Sequence, residues 1–301
     1  MRIHYIIAAT AAAFALFACR PPETPTLVRT GELHFPGGQW EPDGLAFASD
    51  GRVFVADISF ASAVEVFDAA GVYAGALGGP GKGPGRLMVP TGVAVGPGDA
   101  VYVAEFGTRR VSVFAANGFF LRTMGAGALR SPLGVAVDRR GTVYVADAGA
   151  GGVVVFPRGT ENPAVWGKEK GVSAALDVTV AADGRVAVAA ADDPRPIVLA
   201  SRTYYATPFP APGMNAEVAK VAFDAEGNLF ALTRETTPEG AVVYAVVKYD
   251  VAGKLAGKWT VPLTTPGALA VARDGTVVIA DAGRHEVAKY RAPGVPPRRR
   301  R

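Results

Sequence analysis

The chain has 301 residues, half of them hydrophobic, with 37 glycines and 23 prolines, a composition that fits a turn-rich folded protein and excludes disorder. Its formal charge of +4 sits at the ends: the 31 basic residues less Arg2 and Arg298–Arg301 fall one short of the 27 acidic ones. A sequence pI near 9.2 therefore does not mark a basic nucleic-acid surface, and no nucleic-acid partner is expected.

The chain opens with Met1-Arg2 and an uncharged run from Tyr5 to Ala18, long enough for the apolar part of a signal peptide and too short to span a bilayer. It ends in Leu16-Phe17-Ala18-Cys19, which resembles a bacterial lipobox. Residues 1–18 are expected to be a lipoprotein signal peptide and 19–26 a tether, with Cys19 the lipidated residue. Cys19 is the only cysteine, so intramolecular disulfides and a haem-attachment motif are excluded. Lipidation would remove a thiol otherwise exposed in an oxidising compartment, and several acyl chains hold a membrane far better than one. Arg20 in place of Asp resembles lipoproteins sent on to an outer membrane. An exported, lipid-anchored cell-envelope protein is expected.

From residue 27 to 292 a single repeating pattern predicts one domain. Leu27–Phe35 has strand character and no repeat of its own. Then Pro42-Asp43-Gly44-Leu45-Ala46-Phe47 leads through Asp50-Gly51 to Val53-Phe54-Val55-Ala56-Asp57. The pattern returns at Pro90 to Glu105, at Pro132 to Asp147 and at Pro266 to Asp281, with weaker copies around Asp177 and Lys220. Equivalent positions are Gly44, Gly92, Gly134, Asp177, Lys220 and Ala268, a period of roughly 40–50 residues that suits one four-stranded propeller blade. Short β-branched runs, apolar on both faces, fit sheets sandwiched between neighbouring sheets. Asp-Gly, Glu-Gly and Asn-Gly pairs mark tight hairpins that need positive φ.

The expected fold is thus all-β: a six-bladed β-propeller of four-stranded antiparallel blades. The sixth copy stops at Pro293, one strand short, so 27–35 is expected to pair as its outer strand and lock the ring. Residues 293–301 form a Pro/Arg-rich tail.

The run from Gly78 to Val95, with Gly79-Pro80-Gly81-Lys82-Gly83-Pro84-Gly85-Arg86 before Pro90-Thr91-Gly92, and the recurring Val-Tyr-Val-Ala-Asp together resemble NHL repeats. The resemblance covers about residues 36–291 and implies a propeller. The family's Asn, three residues beyond its Asp, is replaced here by Phe60, Thr108, Ala150 and Arg284, and only Arg110 keeps its Arg. The glycine-rich run is not a phosphate loop, since Lys82 is followed by Gly83 and Pro84, not by Ser or Thr opening a helix.

Enzymes that resemble this family suggest two kinds of metal site. Zinc held by three histidines is impossible with only His34 and His285 beyond residue 18. For a cation-dependent lactonase, carboxylates such as Glu41, Asp43 and Asp177 are present, but Asn117 and Asn228 fall in hairpin text, and no complete shell is read. No metal, cofactor or catalytic residue is assigned. Asp57, Glu105, Asp147 and Asp281 recur once per strong copy, which points to a structural role accepting backbone hydrogen bonds. Asp177 and Lys220 break the glycine pattern and are candidate recognition residues at the channel mouth. Arg109, Arg110, Arg234, Arg284 and His285, placed in loops between second and third strands, are candidate partner contacts. The expected role is a membrane-anchored binding or scaffold lipoprotein whose loop face takes an envelope protein or surface ligand. The alternative is a lactonase-like hydrolase or a lyase.

Overall fold

The computed structural model describes residues 24–294 apart from 161, 168, 170, 200–205 and 214. Cys19, the segment 1–18 and Arg298–Arg301 lie outside the described residues. Among the described residues no helix is long and apolar enough to cross a membrane.

After β1 (Val28–Leu33) come six successive groups of strands. Blade one is β2–β5 (Pro42–Phe47, Val53–Asp57, Ala63–Phe67, Tyr73–Gly78) and blade two is β6–β9 (Pro90–Val95, Val101–Glu105, Arg110–Phe114, Phe120–Met124). Blade three is β10–β13 (Pro132–Val137, Val143–Asp147, Gly152–Phe156, Ala164–Trp166) and blade four is β14–β17 (Ala175–Val180, Val186–Ala190, Asp193–Leu199, Ala206–Pro208). Blade five is β18–β21 (Ala216–Phe223, Leu229–Thr236, Val242–Tyr249, Leu255–Val261), and β22–β24 (Pro266–Val271, Val277–Asp281, Glu286–Arg291) begin blade six. Each blade is a four-stranded antiparallel sheet, and the sixth is completed by β1, in the order β22, β23, β24, β1. Val28 pairs with Arg291 and Leu33 with Val287, so the expected closing strand is present. Its residues Leu27 and Leu33 are buried. β22 lies against β2, and the ring is closed.

The second strands β3, β7, β11, β15 and β23 are buried along their whole length, because each is covered on both faces by the adjoining blades. The core accordingly divides into apolar layers between blades; one joins Val53, Val55 and Phe67 of blade one to Ala270, Val278 and Val287 of blade six. The hairpins close where glycine takes φ of 92° at Gly51, 90° at Gly184 and 82° at Gly275, values that side chains with a Cβ rarely adopt.

The recurring carboxylates are buried, as a structural role requires. They reach further than the adjoining loop: Asp57 accepts from the Glu41 N–H at 2.9 Å, Asp147 from those of Arg130 and Ser131 at 2.7 and 2.8 Å, and Asp281 from those of Thr264 and Thr265 at 2.8 Å each. Each one therefore ties the incoming inter-blade connection to the end of its own second strand. Glu105 does this for blade two through the Met88 N–H at 3.0 Å.

Two placements differ from expectation. Arg110 opens β8, where it pairs with Glu105, and is not in a loop. Arg234 lies inside β19, not in a loop. Blade five's pairing continues to Ala216 with Glu235 and to Thr236 with Val242, so the loop between its second and third strands begins only after Thr236.

Candidate binding site at the channel mouth

In every blade the first strand changes register near its start, between Pro42 and Gly44, Pro90 and Gly92, Pro132 and Val135, Ala175 and Asp177, Val218 and Lys220, and Pro266 and Ala268. A bulge of this kind bends a strand and re-aims its side chains. Here the bends sit where the six inner strands crowd together. A Cβ on Gly134 would lie 2.5 Å from Asp177 Oδ1, and one on Gly92 would lie 2.5 Å from the Leu133 carbonyl oxygen, so glycine at this position is a packing requirement. The requirement holds in blades one to three; Asp177, Lys220 and Ala268 stand at the position in blades four, five and six.

The inner strands enclose a cavity of about 270 Å³. Asp43, Asp177 and Lys220 line the end where the strands start. At the opposite, hairpin end the equivalent positions are Phe47, Val95, Val137, Val180, Phe223 and Val271. The channel thus runs from a polar mouth to an apolar floor.

Burial pushes the Asp43 carboxyl above the usual carboxylate range, partly offset by the Lys220 ammonium. Burial also raises Asp177, against the pull of Lys220 and of hydrogen bonds from backbone N–H groups; the Val221 N–H donates to Asp177 Oδ2 at 2.9 Å. The two carboxyls feel one another as like charges. Among the described residues, no ion pair within 4.0 Å engages the Lys220 ammonium. The mouth therefore holds one cationic donor and two acceptors whose charges are incompletely neutralised, in a walled recess with an open side. Such a set can hold a small polar group by hydrogen bonds and charge. Two carboxylates with a lysine do not make an oxygen shell for a divalent cation. Among the described residues no group of three His, Cys, Asp or Glu side chains is placed to hold a metal.

Asp43 is the member that the reading of binding residues left out. Its signal was present: where blades two, three and six carry Thr91, Leu133 and Gly267, blade one carries a carboxylate. Gly267 leaves room for it, since a Cβ there would meet Asp43 Oδ1 at 3.0 Å.

The other candidates do not join the trio. Arg110 donates to the buried Glu105 at 2.8 Å and to the carbonyls of Lys82 and Arg86 at 3.0 Å each, so it holds the connection between blades one and two. Arg234 pairs with Glu217 at 3.4 Å on the surface. Arg284 is exposed and lies 3.6 Å from Asp281. His285 meets the Trp40 backbone. Arg109 is exposed, with φ of 54°.

A closed ring of six four-stranded blades, with its polar residues gathered at one mouth of the central channel, defines a β-propeller. A family model for the NHL repeat matches residues 129–159, which contain the first three strands of blade three, so the chain contains an NHL repeat within a six-bladed β-propeller. Comparison with curated protein sequences gives no match. Among solved structures, a streptogramin B lyase is similar at 12% identity and a TM-score of 0.61, over 88% of this chain and 97% of that one. The virginiamycin B lyase of Staphylococcus aureus is similar at 9% identity and 0.58, over 88% and 98%. A DUF4221-family protein from Bacteroides vulgatus is similar at 10% identity and 0.63, over 88% and 97%. At these identities the likeness is one of fold.

Proposed function

We propose that the protein is an exported, lipid-anchored binding module that takes a protein or surface ligand of the cell envelope on the face bearing the channel mouth. The observation that carries this reading is the convergence of Asp43, Asp177 and Lys220 at one mouth of a closed ring. Thr26 bridges to Thr260 on the outer rim between blades five and six. Arg291 bonds to Asp274 at the hairpin end. The recurring carboxylates are consumed by the scaffold, which argues against their acting as catalysts.

The test has two arms. Cells grown with an alkyne-tagged fatty acid should label the wild-type protein and carry it into the membrane fraction, and Cys19→Ser should lose both properties. Equal labelling of Cys19→Ser would refute the anchor. Asp43→Asn with Lys220→Met should weaken ligand capture without lowering the melting temperature; capture that survives would refute the mouth.

Two of the structures similar in fold are lyases by name, which favours a lyase as the second reading. In that case Asp43, Asp177 and Lys220 are the convergent groups available for proton transfer, and turnover by the purified protein, lost in Asp177→Asn, would support it.

A further inference from the structure

The connection between blades one and two crosses the loop face from the outer edge of blade one, where Gly78 pairs with Ala63, to the inner strand of blade two. It is rigid. The Leu87 N–H bonds to the Gly79 carbonyl and the Gly81 N–H to the Leu87 carbonyl, both at 2.9 Å, and Arg110 clamps it from beneath. Two exposed aromatic side chains lie in the loops at its two ends. Phe60, in the loop that leads to Ala63, is 103% exposed, and Phe106, whose N–H bonds to the Val89 carbonyl at 3.0 Å, is 46% exposed. Both lie away from the channel trio, and neither is used by the scaffold. Lys82, Arg86 and Arg109 around them are exposed, whereas Glu105, the carboxylate within reach of Arg110, is buried and bound to it. The free charge on the connection itself is therefore positive, from Lys82 and Arg86 with Arg109 beside them, while Glu41, whose carbonyl accepts from the Ile58 N–H, is exposed next to the Phe60 loop.

We infer that this ledge between blades one and two is a docking surface for an acidic protein segment that carries apolar side chains. The inference rests on the loop face being the binding face and names the partner chemistry there. Exposed aromatic side chains anchor interfaces, and the cations would steer and orient an acidic chain. The preformed backbone spares the partner the cost of ordering the loop.

The probe is a short fluorescent peptide alternating Glu with Leu and Phe, titrated against the full-length protein while polarisation is followed. Saturable binding is expected, weakening as salt rises and falling at least about tenfold, a loss of about 1.4 kcal/mol, in Phe60→Ser/Phe106→Ser and in Lys82→Glu/Arg86→Glu, with melting temperatures unchanged. Equal binding of the Lys-for-Glu peptide, or no loss in either double variant, would overturn the proposal. So would tighter binding of polyuridylate, or of vesicles of phosphatidylglycerol and phosphatidylcholine. A photo-crosslinking residue at position 60 and another at position 284 separate the two levels: adducts at 284 alone sink the ledge and keep the loop face, and adducts at neither position sink both.

Discussion

Trp40 and His285 exchange side-chain-to-backbone hydrogen bonds across the seam that closes the ring. The Trp40 indole N–H donates to the His285 carbonyl oxygen at 2.6 Å, and His285 Nδ1–H donates to the Trp40 carbonyl oxygen at 2.7 Å. Trp40 itself is buried, 2% exposed, with its ring 4.9 Å from that of Phe35. The residue that enters blade one is thereby fastened to the second loop of blade six. Replacing Trp40 with Ala should cost about 3–5 kcal/mol, and His285→Ala about 1 kcal/mol, both read as shifts of the urea midpoint. A His285 variant that costs as much as the Trp40 variant would mean that the histidine does more than fasten.

The second closure is β1. Deleting 24–36 removes a strand pairing and the contacts of the buried Leu27 and Leu33 and the half-buried Phe35, and leaves β24 as an open edge. The melting temperature should fall sharply. An unchanged value would show that the ring holds without its N-terminal strand.

Glu105 is fully buried and accepts from Arg110 at 2.8 Å, Thr108 at 2.8 Å, Ser112 at 2.5 Å and the Met88 N–H. Glu105→Ala strands the Arg110 guanidinium in a partly buried site and should cost about 3–5 kcal/mol in chemical denaturation. Breaking the exposed pair of Arg234 with Glu217 should cost less than about 1 kcal/mol. Similar losses from the two would contradict the burial argument.

The channel carboxyls make a pH prediction. Asp43 and Asp177 are held above the ordinary carboxylate value in the folded protein. As pH rises past that ordinary value, the unfolded chain gives up its proton first, so stability falls until the folded groups also ionise. Asp177→Asn keeps an acceptor for the Val221 N–H and removes the ionisation. Relative to wild type, the variant should gain a few degrees in melting temperature between about pH 4 and pH 7, with the gain smallest at the acid end. A gain that is absent, or largest in acid, would show that Lys220 compensates both carboxyls fully.

The repeats were legible in the sequence because a blade sandwiched between blades needs apolar residues on both faces, and Val53–Asp57, Val101–Glu105 and Val143–Asp147 say so in the same letters. The missing strand of blade six was legible from a count of strands. Longer-range relations were not. Asp43 meets the field of Lys220 only because the ring closes, and no local pattern carries a relation across that span of chain. Arg234 lies in the polar run Thr233 to Thr237, which carries no apolar strand pattern; the strand continues there beyond the blade's core, where pairing is held by backbone hydrogen bonds. Arg110 could be recognised by its place in the repeat, but its engagement with the carbonyls of Lys82 and Arg86 depends on the path of a connection that the sequence leaves open.

The most direct test of the account is a photo-crosslinking residue placed in cells at three positions: 109 and 284 on the loop face and 140 at the hairpin end. Discrete adducts, recovered with the membrane fraction, are expected from 109 or 284 and none from 140. Adducts from 140 alone would place the working surface on the opposite end of the ring and contradict it.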